Sequence, residues 1–352
     1  MSFDKLVTEV AIDLFGRRKH GHTGEIAYQN GGGKLFAQFT HANPDYYPYH
    51  GEITLLATNR DAIAELFADV EHAIVVGPGP ASSFSRKEYP ILEKLPKLKA
   101  VSLVDLSADF NQQAKGVIQS NSQAMRRRVK GNITNYDMDF HDAGAVIPAQ
   151  GKTAVFVTGG LVSNVHNAPL NGFPDQDMQG MLRACRDLAG EDGFVILGYD
   201  TNQWHESLNK AYDQSLAPFI KNIMQIIADH TPGIQGFDPH PDNFRYEMQW
   251  HKKASQVAHT IVFERPQRFT ITDNGQTHTF TFDTGDELVM MSSIKPLQQK
   301  MTQLASYCGL QTVNGYFDQH GLVEHIFKSA PVKPPVGAPT PLQLPLAGPA
   351  KP

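Results

Sequence analysis

One stretch restricts the possible folds of this chain more than any other. Ala73-Ile-Val-Val-Gly-Pro-Gly-Pro-Ala-Ser82 joins an apolar strand to a glycine turn, and Val101-Ser-Leu-Val-Asp105 follows after a helical segment. A buried strand running into a glycine turn, beside a second apolar strand that ends in a carboxylate, is the crevice-forming unit of open α/β sheets. Glycine lets the backbone approach a ligand with no side chain in the way. Asp105, at the tip of the second strand, is placed to accept both hydroxyls of a ribose.

The turn itself selects among nucleosides. A dinucleotide fingerprint has a third glycine that lets the helix pack closely on the strand; Gly77 and Gly79 are present, but Ser82 stands in the third place. Pro78 and Pro80 also remove two backbone donors that a pyrophosphate would need. S-adenosylmethionine (SAM) carries no phosphate and loses nothing by this. An ordinary strand-turn-helix without a ligand also fits two glycines, and Asp105 is what favours a nucleoside site.

Around this unit, helical and strand patterns alternate. Apolar spacing predicts a helix over residues 51–70, then the strand 73–76, a helix over 89–95, a strand at 101–104, a helix over 108–121, and strands at 132–136 and 153–158. A helix over 178–188 and the strand 193–198 complete the series. Such alternation implies a parallel sheet with helices on both faces. Beyond residue 234 the pattern becomes alternating, at 244–250, 255–264, 268–272 and 277–282, with Asp273-Asn-Gly275 as a hairpin turn. A strand near 288–291, a helix over 296–308 and strands near 312–317 and 324–327 follow. Residues 331–352, rich in proline and small residues, are expected to form no core and to be extended or disordered.

Composition narrows the partners. The 352 residues are 41% hydrophobic, enough for one large core or two smaller ones, and the net charge of -5 is spread through the chain. Nothing resembles a footprint for nucleic acid or an anionic membrane, so a small molecule is the expected partner. Cys185 and Cys308 have neither disulfide-framework nor zinc spacing, and no targeting or membrane-spanning segment is apparent. A cytoplasmic location is expected. His240, in Phe237-Asp-Pro-His-Pro-Asp242, reads as a surface turn, and no metal site is expected.

The N-terminal part carries a denser signature. It reads Tyr28-Gln-Asn-Gly-Gly-Gly-Lys-Leu35-Phe36, then Phe39-Thr40, then Pro44-Asp-Tyr46-Tyr47-Pro48 and Glu52. With Val76-Gly-Pro-Gly, Val104-Asp105, Asp139-Phe140, Leu197-Gly-Tyr-Asp200, Ala211-Tyr212-Asp213 and Gly285-Asp-Glu, this series resembles the SAM-dependent histidine N-alpha-methyltransferases of ergothioneine biosynthesis (EgtD-like). Relatives of that family methylate tryptophan-derived alkaloids. The likeness extends over roughly residues 20–328.

The resemblance implies an α/β fold: a Rossmann-like class I methyltransferase sheet with a second, smaller α+β substrate-binding domain. Residues 1–60 would form a helical part of the substrate domain and 61–200 the SAM-binding domain. Residues 201–295 would be a substrate-binding insertion rich in antiparallel strands, and 296–330 would return to the main sheet. It also implies that Gly77, Gly79 and Asp105 hold the aminoacyl and ribose parts of SAM, that Asp139 and Phe140 flank the adenine, and that Tyr46 sits between SAM and substrate. Asn164 and Tyr212 would fix the acceptor's amino and carboxylate groups, and Tyr28, Phe36 and Tyr46 could face a cationic amine. Read alone, Asn164 is a capped turn, Tyr212 a helix residue with its hydroxyl in water, and Phe36 a core residue.

The chain departs from the family where the side chain of the acceptor is read. A glutamate and a serine, two residues apart on a late strand, serve the imidazole in the family; here Met291 and Ser293 align with them. A thioether is a weak acceptor, which favours an apolar or aromatic acceptor near Met290 and Met291. His259, expected on the opposite wall, is either an ordinary strand histidine or a replacement polar contact. The segment 82–87 reads as an insertion. The leading expectation is a SAM-dependent N-methyltransferase acting on an amino acid or close derivative. The alternatives are a nicotinamide-dependent oxidoreductase and a SAM-binding protein without turnover.

Overall fold

A computed structural model of the protein describes residues 2–17, 23–148, 150–164 and 170–330; the proline-rich segment 331–352 lies outside them. Four helices come first: α1 (Phe3–Arg17), α2 (Gly24–Ala27), α3 (Gly32–Ala42) and α4 (Tyr47–Leu66). Then β1 (His72–Val76), α5 (Ala81–Phe84), α6 (Tyr89–Leu92), β2 (Ala100–Asp105), α7 (Ala108–Ser120), α8 (Gln123–Val129), β3 (Ile133–Asp137), α9 (Phe140–Ala143), β4 (Thr153–Val157), α10 (Asp175–Ala189) and β5 (Phe194–Asp200) alternate. Helices α11 (His205–Ala211) and α12 (Ala217–His230) lead into β6 (Ile234–Gln235), β7 (Phe244–His251), β8 (Gln256–Phe263), β9 (Gln267–Asp273), β10 (Gln276–Phe282) and β11 (Glu287–Ile294). The described chain ends in α13 (Gln298–Tyr307), β12 (Leu310–Phe317) and β13 (Leu322–Ser329).

Seven strands form the main sheet in the order β12-β13-β5-β4-β1-β2-β3. Every residue of β1 is buried because helices cover both faces: Ile74 and Val76 face one core, Ala73 and Val75 the other, as the two-residue period of a strand requires. The sheet is mixed rather than wholly parallel. β12 and β13 form a hairpin, and β13 runs antiparallel to β5 with Glu324 directly opposite Gly198. Two smaller antiparallel sheets, β10-β9-β6 and β11-β8-β7, share a separate aromatic core with α1, α2 and α12 that includes Phe15, Phe219, Phe263 and Phe282.

Several boundaries differ from the sequence expectation. The helix expected over 51–70 begins at Tyr47, with Pro48 in its first turn, where a missing N–H costs nothing. The helix over 89–95 is a single turn, Tyr89–Leu92, and the segment read as an insertion overlaps α5. No helix among the described residues is long and apolar enough to cross a membrane.

Candidate active site

At the carboxyl end of the sheet the glycine turn takes the geometry its residues permit. Gly77 and Gly79 both have φ of +64°, which a residue with a Cβ adopts only under strain, and the Gly77 N–H donates to the Val104 carbonyl at 2.8 Å. This bond ties the ends of β1 and β2 together. Asp105 Oδ1 accepts the Ser107 N–H at 2.8 Å, and the residue lines the cavity beside Gly79. Burial raises the Asp105 carboxyl to about 6, against the backbone N–H groups of Ser107 and Gly79 and with the help of nearby Asp137. Asp139 caps α9 by accepting the His141 N–H at 2.8 Å and delivers buried Phe140 to the same wall. Gly77, Gly79, Asp105, Asp139 and Phe140 together line a cavity of about 260 Å³.

A second chamber of about 100 Å³ lies beside it, lined by Tyr28, Phe36, Tyr46, Asn164, Tyr212, His259, Met291 and Ser293 among others. Tyr28, Phe36, Tyr46, Asn164 and Met291 line both spaces, so the two meet at an aromatic junction. The Tyr46 ring stands 4.6 Å from Phe39, 5.5 Å from Tyr212 and 6.2 Å from Phe36, and Tyr28 lies 5.4 Å from Phe36. Burial raises the phenols of Tyr28, Tyr46 and Tyr212 well above their usual range, so each keeps its proton. Phe36 therefore both packs against the core and faces the junction. Asn164 closes the turn Leu161–Ser163, its N–H on the Leu161 carbonyl at 3.0 Å, and lines both cavities.

The hydroxyl of Tyr212 is not in water. It accepts from Lys295 Nζ at 2.7 Å, and Lys295 also donates to Ser293 Oγ at 3.0 Å and pairs with Asp200 Oδ2 at 3.0 Å. Asp200 in turn accepts from the Tyr47 hydroxyl at 2.6 Å. Lys295 is 1% exposed, and sequence reasoning missed it. The signal available was a lysine two positions after Ser293, where the two-residue period of a strand puts it on the same face.

His259 and Met291 correct another expectation. They are cross-strand partners on β8 and β11, side by side on one face rather than on opposite walls. A register shift between Val289 and Met291 turns Met291 to the chamber, while Met290 is fully buried in the aromatic core and lines neither space. His259 Nδ1 bonds the Tyr246 hydroxyl at 2.9 Å, and burial, aided by Lys295, lowers the ring to about 3, so it stays neutral. Its Nε2 is the ring nitrogen left for a ligand.

Glu52 stands in the N-terminal signature, but the ionic cluster it joins escaped sequence reasoning. Lys87 Nζ lies 3.1 Å from Glu52 Oε2 and 3.5 Å from Glu88 Oε1, all three side chains being buried. Glu52 Oε1 accepts the Gly159 N–H at 2.6 Å, and Thr158 donates to Glu88. Glu52 lines both cavities and Glu324 the inner one.

The outer cavity fits SAM: two left-handed glycines, a carboxylate at a strand tip and an aromatic wall, with no call for phosphate binding. This sheet and this crevice define a SAM-dependent methyltransferase of the class I fold. The chain belongs to the histidine-specific SAM-dependent methyltransferase family, whose description matches residues 17–329. No curated protein matches it significantly. Among solved structures, a SAM-dependent methyltransferase from Clostridium acetobutylicum is 11% identical, covering 84% of this chain and 99% of its own, with a TM-score of 0.39. The SAM-bound amino pentose methyltransferase CalS10 from Micromonospora echinaspora is 14% identical over 80% of this chain and 92% of its own, TM-score 0.33. The sugar N-methyltransferase KedS8 from Streptoalloteichus is 10% identical over 84% and 93%, TM-score 0.37. At such values the family match, not these neighbours, carries the assignment, and it removes the nicotinamide reading.

Proposed function

We propose that the protein is an N-methyltransferase for the amino group of an amino acid or a close derivative. The observation that carries this reading is the junction where Tyr28, Phe36, Tyr46 and Asn164 line both the nucleoside cavity and the inner chamber. SAM, when bound, supplies a methyl group on a sulfonium that is already a good leaving group. What remains for the chain is to orient the acceptor, exclude water and handle a proton. On this reading Gly77, Gly79 and Asp105 hold the cofactor's aminoacyl and ribose parts, and Asp139 and Phe140 its adenine.

Lys295 donates to the Tyr212 oxygen, so the Tyr212 O–H proton is left for the acceptor's carboxylate. Asn164 orients the amino group, and the rings of Tyr28, Phe36 and Tyr46 face the cation that methylation creates. Met291 offers the acceptor's side chain a polarisable apolar contact, with His259 Nε2 beside it as a polar one. That pairing favours an aromatic side chain, such as an indole, over the imidazole read by a carboxylate. The same reading divides the chain at residues 60, 200, 295 and 330, and two free, buried cysteines support a reducing, cytoplasmic setting.

The test is product detection by mass shift with SAM and a panel of histidine, tryptophan, tyrosine and their decarboxylated forms. Methylation of at least one amine is expected. Tight SAM binding without methylation of any would replace this reading with that of a SAM-binding protein without turnover.

A further inference from the structure

The acid cluster beneath the inner chamber holds more negative charge than its partners can neutralise. Glu52, Glu88 and Glu324 are 4%, 0% and 1% exposed, and among the described residues the only ammonium bonded within the group is Lys87. Three buried carboxylates against one cation leave an excess of negative charge that a further proton would relieve. Glu88 Oε2 and Glu324 Oε2 are both buried with no hydrogen-bond partner among the described residues, and of the two only Glu324 lines the inner chamber. It stands beside Glu52 over Gly198, where a Cβ would lie 2.6 Å from Glu52 Oε1 and 2.9 Å from Glu324 Oε1. The glycine makes room for the pair.

We propose that Glu324, paired with Glu52, takes the proton from the ammonium of the methyl acceptor. Both glutamates share the chamber wall with Gly159, Gly160 and Asn164, and Glu52 is fixed there by the Gly159 N–H. Asn164 and the buried phenols are poor bases, and of the other carboxyls that the described residues bring to that chamber, Asp200 is held by Lys295 and Tyr47 and Glu52 by Lys87. The groups facing Glu324 are Glu52 on α4, Lys87 and Glu88 between α5 and α6, Tyr199 on β5 and Tyr316 across the β12 pairing. Burial first, then the charge of Glu52, hold the Glu324 carboxyl well above the usual carboxylate range, against the pull of Lys87, which brings its basicity closer to that of an amine. In the step, an N–H bond of the ammonium breaks and its electron pair stays on nitrogen while the proton joins Glu324. That pair forms the new N–C bond as the S–C pair leaves with sulfur, and Glu324 returns its proton to solvent when the chamber empties.

The inference rests on the acceptor being an amine. The probe is the panel member that the wild type methylates fastest. With it, kcat/KM of the wild type should be bell-shaped in pH, since the step needs an ammonium and a carboxylate together. Glu324→Gln should lose about a hundredfold at neutral pH and show a rate that only rises with pH. Calorimetry with adenosylhomocysteine present, in two buffers of different ionisation enthalpy, should find no net proton released when the wild type binds the probe, because the ammonium's proton stays on Glu324, and one released for Glu324→Gln, which takes the probe only as the free amine. A variant that keeps the wild-type profile and proton balance overturns the role of Glu324. Should the variant not fold, the wild type alone decides: a monotonic profile with one proton released on binding overturns it. Absence of methylation across the panel is a different outcome, and sinks the reading of the acceptor instead.

Discussion

Asp105 has to be an anion to accept ribose hydroxyls, yet its burial favours the acid. With the carboxyl at about 6, affinity for adenosylhomocysteine should fall as pH drops below that value, and Asp105→Asn should flatten the dependence. The sign for stability is the reverse of the common one. The folded pKa lies above that of an unfolded aspartate, about 4, so the cost of the buried charge develops as pH rises from there towards about 6. Asp105→Ala removes charge-assisted hydrogen bonds of about 1.5–3 kcal/mol, and titration should show at least a tenfold loss of cofactor affinity; unchanged affinity would count against the site. At Met291 the expected change is one of preference. Met291→Glu places an acceptor beside the ring of His259 and should raise histidine over tryptophan in competition assays by roughly tenfold, about 1.4 kcal/mol. Lys295→Met strands Asp200 in the interior, and urea denaturation should register a loss of about 3–5 kcal/mol.

Among elements, β5 and β13 show how little side chain a position can tolerate. Gly198→Ala pushes a methyl into the Glu52 and Glu324 oxygens, and chemical denaturation should show a loss of about 1–3 kcal/mol, with the main sheet otherwise intact. The elements themselves were largely legible: β1, β2, β4, β5 and the paired strands beyond residue 234 follow their apolar periods, and Asn274-Gly275 forms the expected hairpin turn. Their mutual registers were not. Nothing local in β8 or β11 says that His259 stands opposite Met291, because that pairing is set by the shared aromatic core and by a register shift after Val289. The short helices α5 and α9 also escaped, since four residues give no period to read.

Across the whole molecule, the site draws on residues from Tyr28 to Glu324, and this long reach separates what sequence reading found from what it missed. The nucleoside half lies on one consecutive run of strands and turns, so Gly77, Gly79, Asp105, Asp139 and Phe140 could be named from local pattern and resemblance. The ionic half could not: Lys87, Asp200, Lys295 and Glu324 are charged residues whose burial exists only once two sheets and the N-terminal helices have met. Ligand binding should report on that assembly. Adenosylhomocysteine at a hundred times its Kd should stabilise the fold by about 2.7 kcal/mol, seen as a rise in Tm that Asp105→Ala at least halves at the same concentration. Tyr46 and Glu52, at the head of α4, belong to the walls of both cavities. Whatever the first arrival does to that shared partition, the second must feel, and by the same factor in either order of addition. A nucleoside already in place would thus act as the floor on which an amine settles, and the ternary complex would be tighter or looser than its two halves by one common coupling constant.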